Sequence, residues 1–240
     1  MHTILLLAHA LFLAQAKPAA RYVFLFVGDG MGLSHVSLAE AYQASVAGDT
    51  LGFAPLSFTT FPVFGTATTH CATRRITESS AAGTALATGS KAGDGTLGIE
   101  PGTGRKLSSI AAEARTAGRK VAILSTVSID HATPAAFYAQ VGDRNAYNAI
   151  AMQLPRSGFD IFAGSEFLKP VGDSGNVWDS LRKAGYDVVR GRSELVRRKS
   201  DRPILALPAA ENGTATVPWE IDRPQHSQDQ PTLADFVRES

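Results

Sequence analysis

Residues 107–124 read LSSIAAEARTAGRKVAIL. Apolar side chains recur at helical spacing over 107–117, Gly118 supplies a stop, and 121–124 is a short, unbroken apolar run. A strand with no polar face has to be covered on both sides, so a helix that ends on glycine and feeds such a strand is half of an α/β repeat. The alternation extends in both directions. Upstream, 22–27 (YVFLFV) reads as a buried strand stopped by Gly28, 33–47 as a helix, 50–69 as loops and short strands, and 79–88 as a closely packed helix of small residues. Downstream, 145–154 and 177–184 read as helices, and 159–162, 187–189 and 203–207 as strands. The pattern predicts an α/β fold: a three-layer sandwich with a mostly parallel central sheet and helices on both faces. In such sheets ligands gather beyond the carboxyl ends of the strands. Here that points to 28–32, to 125–133, and to the loop that delivers Ser79.

Composition narrows the function classes. The 240 residues carry 23 Lys and Arg against 22 Asp and Glu, a net charge of +1. This balance argues against a nucleic-acid partner, whose binders concentrate basic residues on one face. One cysteine, Cys71, excludes an intrachain disulfide framework and any multi-cysteine zinc site. A transition metal would have to be held by nitrogen and oxygen. Residues 3–16 (TILLLAHALFLAQA) form an apolar run that is too short to span a bilayer and ends in a small-x-small cleavage pattern. The expectation is a signal peptide over 1–16 and an α/β domain over 17–240, exported to a periplasmic or extracellular space, with no stable membrane insertion.

Three constellations carry chemistry. In VGDGMG (27–32), three glycines surround Asp29, a hard oxygen ligand for Zn²⁺ or Mg²⁺ at the end of a strand. Read alone, the same residues make a glycine-rich turn with a helix-capping Asp. In ITESSAAGT (76–84), a serine opens a helix whose N-terminal amides attract anions, so a phosphate can face a hydroxyl there. The plain reading is a Ser-capped core helix. In DHATPA (130–135), neighbouring Asp130 and His131 would point to opposite faces of extended chain, whereas His131 and Thr133 would share one. Arg144 offers a planar fork for two phosphate oxygens.

Taken in order, these segments resemble the alkaline phosphatase family. GDGMG is similar to its first metal-aspartate motif, ITESSAAGT followed by ALATG to its nucleophilic-serine signature, and HATPAAFYAQVGDR (131–144) to the stretch with its magnesium-site hydroxyl and phosphate-binding arginine. DIFAGS, GYDVVRGRSEL, PILAL and PWEIDR extend the likeness toward the C-terminus. The resemblance implies hydrolysis of small phosphate monoesters through a phosphoserine, with two Zn²⁺ and one Mg²⁺. Ser79 would be the nucleophile and, as alkoxide, a zinc ligand; family register favours it over its neighbour Ser80. Asp29 would bridge that zinc and the magnesium. Thr133 would be a magnesium ligand, with His131 beside that ion. Arg144 would hold two phosphate oxygens. Glu78 stands where the family usually has an Asp that positions the arginine, so the charge is kept on a side chain one methylene longer.

The family's later ligands, an Asp-His pair and further carboxylates and histidines, have no counterpart after Arg144. His226 is the last histidine, and Pro224 interrupts any helical pairing of Asp222 with it. The sequence therefore reads as the N-terminal part of such an enzyme, with a fold incomplete at its C-terminus. Expected consequences are an exposed sheet edge, an uncovered apolar face, poor solubility and impaired activity. A complete chain would form a homodimer. The competing readings are a catalytically inactive phosphate-binding fragment and a related phosphodiesterase or sulfatase.

Overall fold

The computed structural model describes residues 20–49, 51–209 and 216–239. The expected signal segment lies outside the described residues. Internal contacts divide the chain into two compact units, Met1–Val63 and Phe64–Ser240.

In the first unit, helix α1 spans Leu33–Val46 and a single 3₁₀ turn spans Ser57–Thr60. Glu40 ties them together: its Oε1 accepts from the Leu56 amide at 3.1 Å and from the Thr59 hydroxyl at 2.7 Å. The run 22–27 corrects the expectation of a buried strand. It has no strand partner, and its side chains stand exposed, Phe24 at 70%. An apolar run reports a preference for burial, but a strand also needs a ladder, and the described residues of this unit contain none.

The second unit carries the sheet. Helices α2 (Ser79–Thr88) and α3 (Ile110–Thr116) precede strand β1 (Ala122–Ser128). Then follow α4 (Ala132–Ala135), α5 (Tyr147–Ala151) and β2 (Ile161–Ser165). A two-stranded ribbon, β3 (Val171–Gly172) and β4 (Gly175–Asn176), leads into α6 (Val177–Lys183). Next come β5 (Asp187–Arg190), α7 (Gly191–Arg197), β6 (Ile204–Leu207) and the last helix, α8 (Leu233–Arg238). The order in the main sheet is β1-β2-β6-β5, with every pair parallel. The α/β class and the parallel sheet follow the sequence expectation.

Strand β6 shows why the fold is layered. Leu205 and Leu207 join one core cluster, with Phe159, Phe162, Leu154 and Leu181, while Ile204 and Ala206 join another, with Val189, Leu195, Val217 and Phe236. Alternate residues of one strand thus feed opposite faces, and both are covered. Phe162 centres the first cluster, edge-on to the Tyr138 ring at 5.4 Å and stacked on the Phe159 ring at 5.9 Å. Burying an aromatic of this size contributes roughly 1.5–3 kcal/mol. The expected uncovered face is therefore absent at β2 and β6; exposure falls on the two edge strands, at Ala122 and Thr126 of β1 and Val188 of β5.

Candidate functional site

The register between β1 and β2 is regular from Ala122↔Ile161 to Leu124↔Ala163, then shifts before Ser128↔Ser165. The irregularity sits at the carboxyl end of β1, where the chain leaves the sheet and turns into α4. Asp130 and His131 separate there. Asp130 is fully buried and its carboxylate accepts from the Leu168 and Lys169 amides at 3.0 and 3.3 Å. Burial pushes its pKa up and these amides pull it down, with a net rise. His131 is half-buried at the N-cap of α4, its Nε2 3.5 Å from Arg144 Nη2. His131 and Thr133 do not lie in extended chain, as the sequence suggested; Thr133 is in the first turn of α4.

Helix α2 packs on α4 through Gly83. A Cβ built there would stand 3.0 Å from Ala136 Cβ and 3.6 Å from Thr133 O. The missing side chain lets the helix that Ser79 opens lie close against the turn that holds Thr133.

The N-terminus of α2 differs from the expected arrangement. Its N-cap is Glu78, not a serine, and the carboxylate takes the helix amides for itself. Oε2 accepts from Ser80 N and Oε1 from Ala81 N, each at 2.8 Å, and Oε1 also accepts from the Ser80 hydroxyl. The expected phosphate seat on these two amides is thus filled by a side chain of the protein. Glu78 Oε2 is also ion-paired with Arg144 Nη1, both side chains being largely covered. Burial pushes the Glu78 carboxyl up, but the Ser80 hydroxyl and the Ser80, Ala81 and Gly95 amides outweigh it and hold it at about 2. Glu78 is therefore charged at any neutral or alkaline pH.

This arrangement sorts the two serines. Ser80 is fully buried and commits its hydroxyl to Glu78, whereas Ser79 is half-buried at the first position of the helix. Arg144 is placed one residue from Ser79, by way of Glu78. Sequence reasoning missed Gly95, which contacts both Glu78 and Arg144; an Asp-Gly pair is a turn signal and carries no record of its partners.

Asp29 lies in the first unit, exposed in the tight turn closed by Met31 N donating to Gly28 O at 3.2 Å. It does not cap α1; that position is Gly32, whose amide donates to His35 Nδ1.

Among the described residues, no three His, Cys, Asp or Glu side chains come together to hold a metal ion. Glu220 is turned to Arg223, 2.9 Å from Nε, on a 3₁₀ turn that contains Pro224. A tetrahedral site takes four donors. The described side chains do not, by themselves, fit two Zn²⁺ and a Mg²⁺. Nor is any helix among the described residues long and apolar enough to cross a membrane.

Comparison with known proteins matches residues 20–164 to the family described as "Alkaline phosphatase". A streptomycin-6-phosphate phosphatase from Streptomyces griseus is 30% identical over 93% of this chain and 58% of its own length. Alkaline phosphatase 4 of Bacillus subtilis is 30% identical over 93% of this chain and 48% of its own. The crystal structure of Thermus thermophilus alkaline phosphatase superposes with a TM-score of 0.76 at 32% identity, covering 90% of this chain and 45% of that one. The chain spans about half the length of the relatives it matches.

Proposed function

The chain belongs to the alkaline phosphatase family, and from that premise we propose that it carries the nucleophile and the phosphate-binding arginine of a phosphate monoesterase. The observation that supports this best is the run Ser79–Glu78–Arg144: a half-buried serine at a helix start, beside a carboxylate that is paired with a guanidinium. Arg144 binds two non-bridging oxygens of the monoester through its fork. Ser79 Oγ attacks phosphorus opposite the ester oxygen; the Oγ–P bond forms as the hydroxyl gives its proton to water, the P–O bond to the alcohol breaks, and the leaving alkoxide takes up a proton from water, so that one proton passes in net from serine to alcohol. Water then cleaves the phosphoserine and releases phosphate. Glu78 takes no part in bond making; it holds Arg144 and caps the helix.

Asp29, Ser79 and Thr133 are proposed as the metal ligands this chain contributes, and His131 as a residue beside the magnesium. The motifs support that assignment, and no step is built on it because the described donors are too few. The same shortage among the described residues supports a second reading, a catalytically inactive phosphate-binding fragment. Export through residues 1–16 and a homodimeric complete enzyme belong to the proposal as well.

The test is acid-quenched reaction with p-nitrophenyl phosphate in the presence of Zn²⁺ and Mg²⁺, followed by peptide mass spectrometry. The proposal expects phosphate on Ser79, none in Ser79→Ala, and label retained in Ser80→Ala. Label on Ser80 in the wild type would overturn the assignment. Phosphate binding without any label would favour the second reading.

A further inference from the structure

Gly95 is the one residue described here whose two peptide groups reach both members of the ion pair. Its amide donates to Glu78 Oε1 at 3.1 Å, and its carbonyl accepts from the Arg144 amide at 2.8 Å. Two residues on, Leu97 and Val141 exchange both backbone hydrogen bonds at 2.9 and 3.0 Å. The segment 95–97 therefore runs antiparallel to 141–144, and Gly95 is the point where that short pairing turns toward the start of α2. It can do so because its φ is +76°, a region that side chains with a Cβ avoid. A Cβ there would meet nothing within 4 Å, so conformation and not space requires glycine.

We propose that Gly95 is a positioning residue for the phosphate-binding arginine, its peptide groups holding the Glu78 carboxylate and the Arg144 backbone in one fixed relation. This rests on the reading of Arg144 as the phosphate ligand. Without the Gly95 contacts, Glu78 keeps its helix amides, but the segment bearing Arg144 is released from it and the guanidinium samples other orientations.

A matched control exists within the same unit. Gly89 ends α2 with φ +73°, also has nothing within 4 Å of a Cβ, and bonds only to Ala85 O among the contacts described. Gly95→Ala and Gly89→Ala impose the same kind of backbone strain, but only the first touches the pair. The experiment is the rate of phenylglyoxal modification at Arg144 in the full chain, followed by peptide mass spectrometry. The expected result is a several-fold faster rate in Gly95→Ala, a wild-type rate in Gly89→Ala, and near-wild-type behaviour in Gly95→Asn, since asparagine tolerates positive φ. An unchanged rate in Gly95→Ala, or equal acceleration in both alanine variants, would overturn the inference.

Should Gly95→Ala fail to fold, amide hydrogen exchange in Glu78→Ala gives the reciprocal readout. The Gly95 amide should lose protection while that of Leu97 keeps it; retained protection at Gly95 sinks the idea. Inorganic phosphate separates this inference from the functional reading. It should slow modification of wild-type Arg144, and an absence of protection would count against Arg144 as the phosphate ligand while leaving the comparison of Gly95 with Gly89 intact.

Discussion

Arg144 faces Glu78, and one oxygen of that carboxylate serves both the guanidinium and the Ser80 amide. The pair is thus anchored to the helix that Ser79 opens, and the arginine's charge is partly offset by the carboxylate. Glu78→Gln keeps the side chain's shape, removes the charge, and turns one of its two accepting oxygens into a donor. Like charges about 6 Å apart near a protein surface repel by roughly 1–3 kcal/mol. The variant should therefore bind inorganic phosphate about tenfold more tightly, while turnover falls because the guanidinium is less firmly held. Inhibition constants for phosphate, measured beside kcat, decide it; weaker phosphate binding would show that Glu78 acts mainly by orienting Arg144.

Gly83 sets the distance between α2 and α4. Gly83→Val puts branched carbon where even a single Cβ stands 3.0 Å from Ala136. Overpacking of this kind costs about 1–3 kcal/mol, and moving Ser79 by ~1 Å relative to Thr133 would reduce hydrolysis by on the order of 100-fold. Urea unfolding gives the first quantity and phosphoserine formation the second. A folded Gly83→Val chain that phosphorylates at the wild-type rate would mean that this contact does not position the serine.

The residues above also mark how far the sequence could be read. Helix α2 coincides with the predicted 79–88, because small residues and Gly89 define both the stripe and the stop. Strands β2, β5 and β6 were legible as short apolar runs, and both faces of β6 are buried as such runs require. The run 22–27 looked the same and is exposed, since local pattern cannot report whether a neighbouring strand exists. At the site, the family resemblance singled out Ser79, Glu78 and Arg144 as candidates, and Glu78 and Arg144 are found as an ion pair. The resemblance gave no sign that the Glu78 side chain would reach its own helix amides, nor that Gly95 would bond to it, because both depend on contacts and torsions that a motif does not encode.

Ser109 joins helix α3 to the turn that follows α4. Its hydroxyl caps α3 by accepting from the Ala112 amide at 3.1 Å, and donates to the Phe137 carbonyl, 28 residues later, at 2.6 Å. Ser109→Ala removes a cap and orphans a carbonyl beside the core. The two losses together should cost about 1–3 kcal/mol. Chemical denaturation measures this, and phosphate protection of Arg144 at temperatures below the transition should be unchanged. A cost below about 0.5 kcal/mol would indicate that water replaces the hydroxyl at both partners.

Alkaline stability should depend on Tyr186. Its ring is buried beside Phe162 and its hydroxyl donates to the Phe159 carbonyl. Burial raises its pKa to about 12; a hydrogen bond to Ser157 opposes the rise, and the Asp160 charge adds to it. In the unfolded chain a tyrosine releases its proton near pH 10. Between about pH 10 and about 12 the unfolded state therefore binds fewer protons than the folded one, and stability falls as pH rises through that window. Below pH 10 the contribution is fully present. The loss across the window should be on the order of 1–3 kcal/mol. Tyr138, also buried and also raised, adds to the same slope. Tyr186→Phe should be less stable at pH 8, by about 1 kcal/mol for the lost hydrogen bond, yet show a shallower decline above pH 10. Urea midpoints across pH 8–12 for the two proteins test it: converging curves are expected, and parallel ones would mean that Tyr186 does not hold its proton more tightly in the folded state.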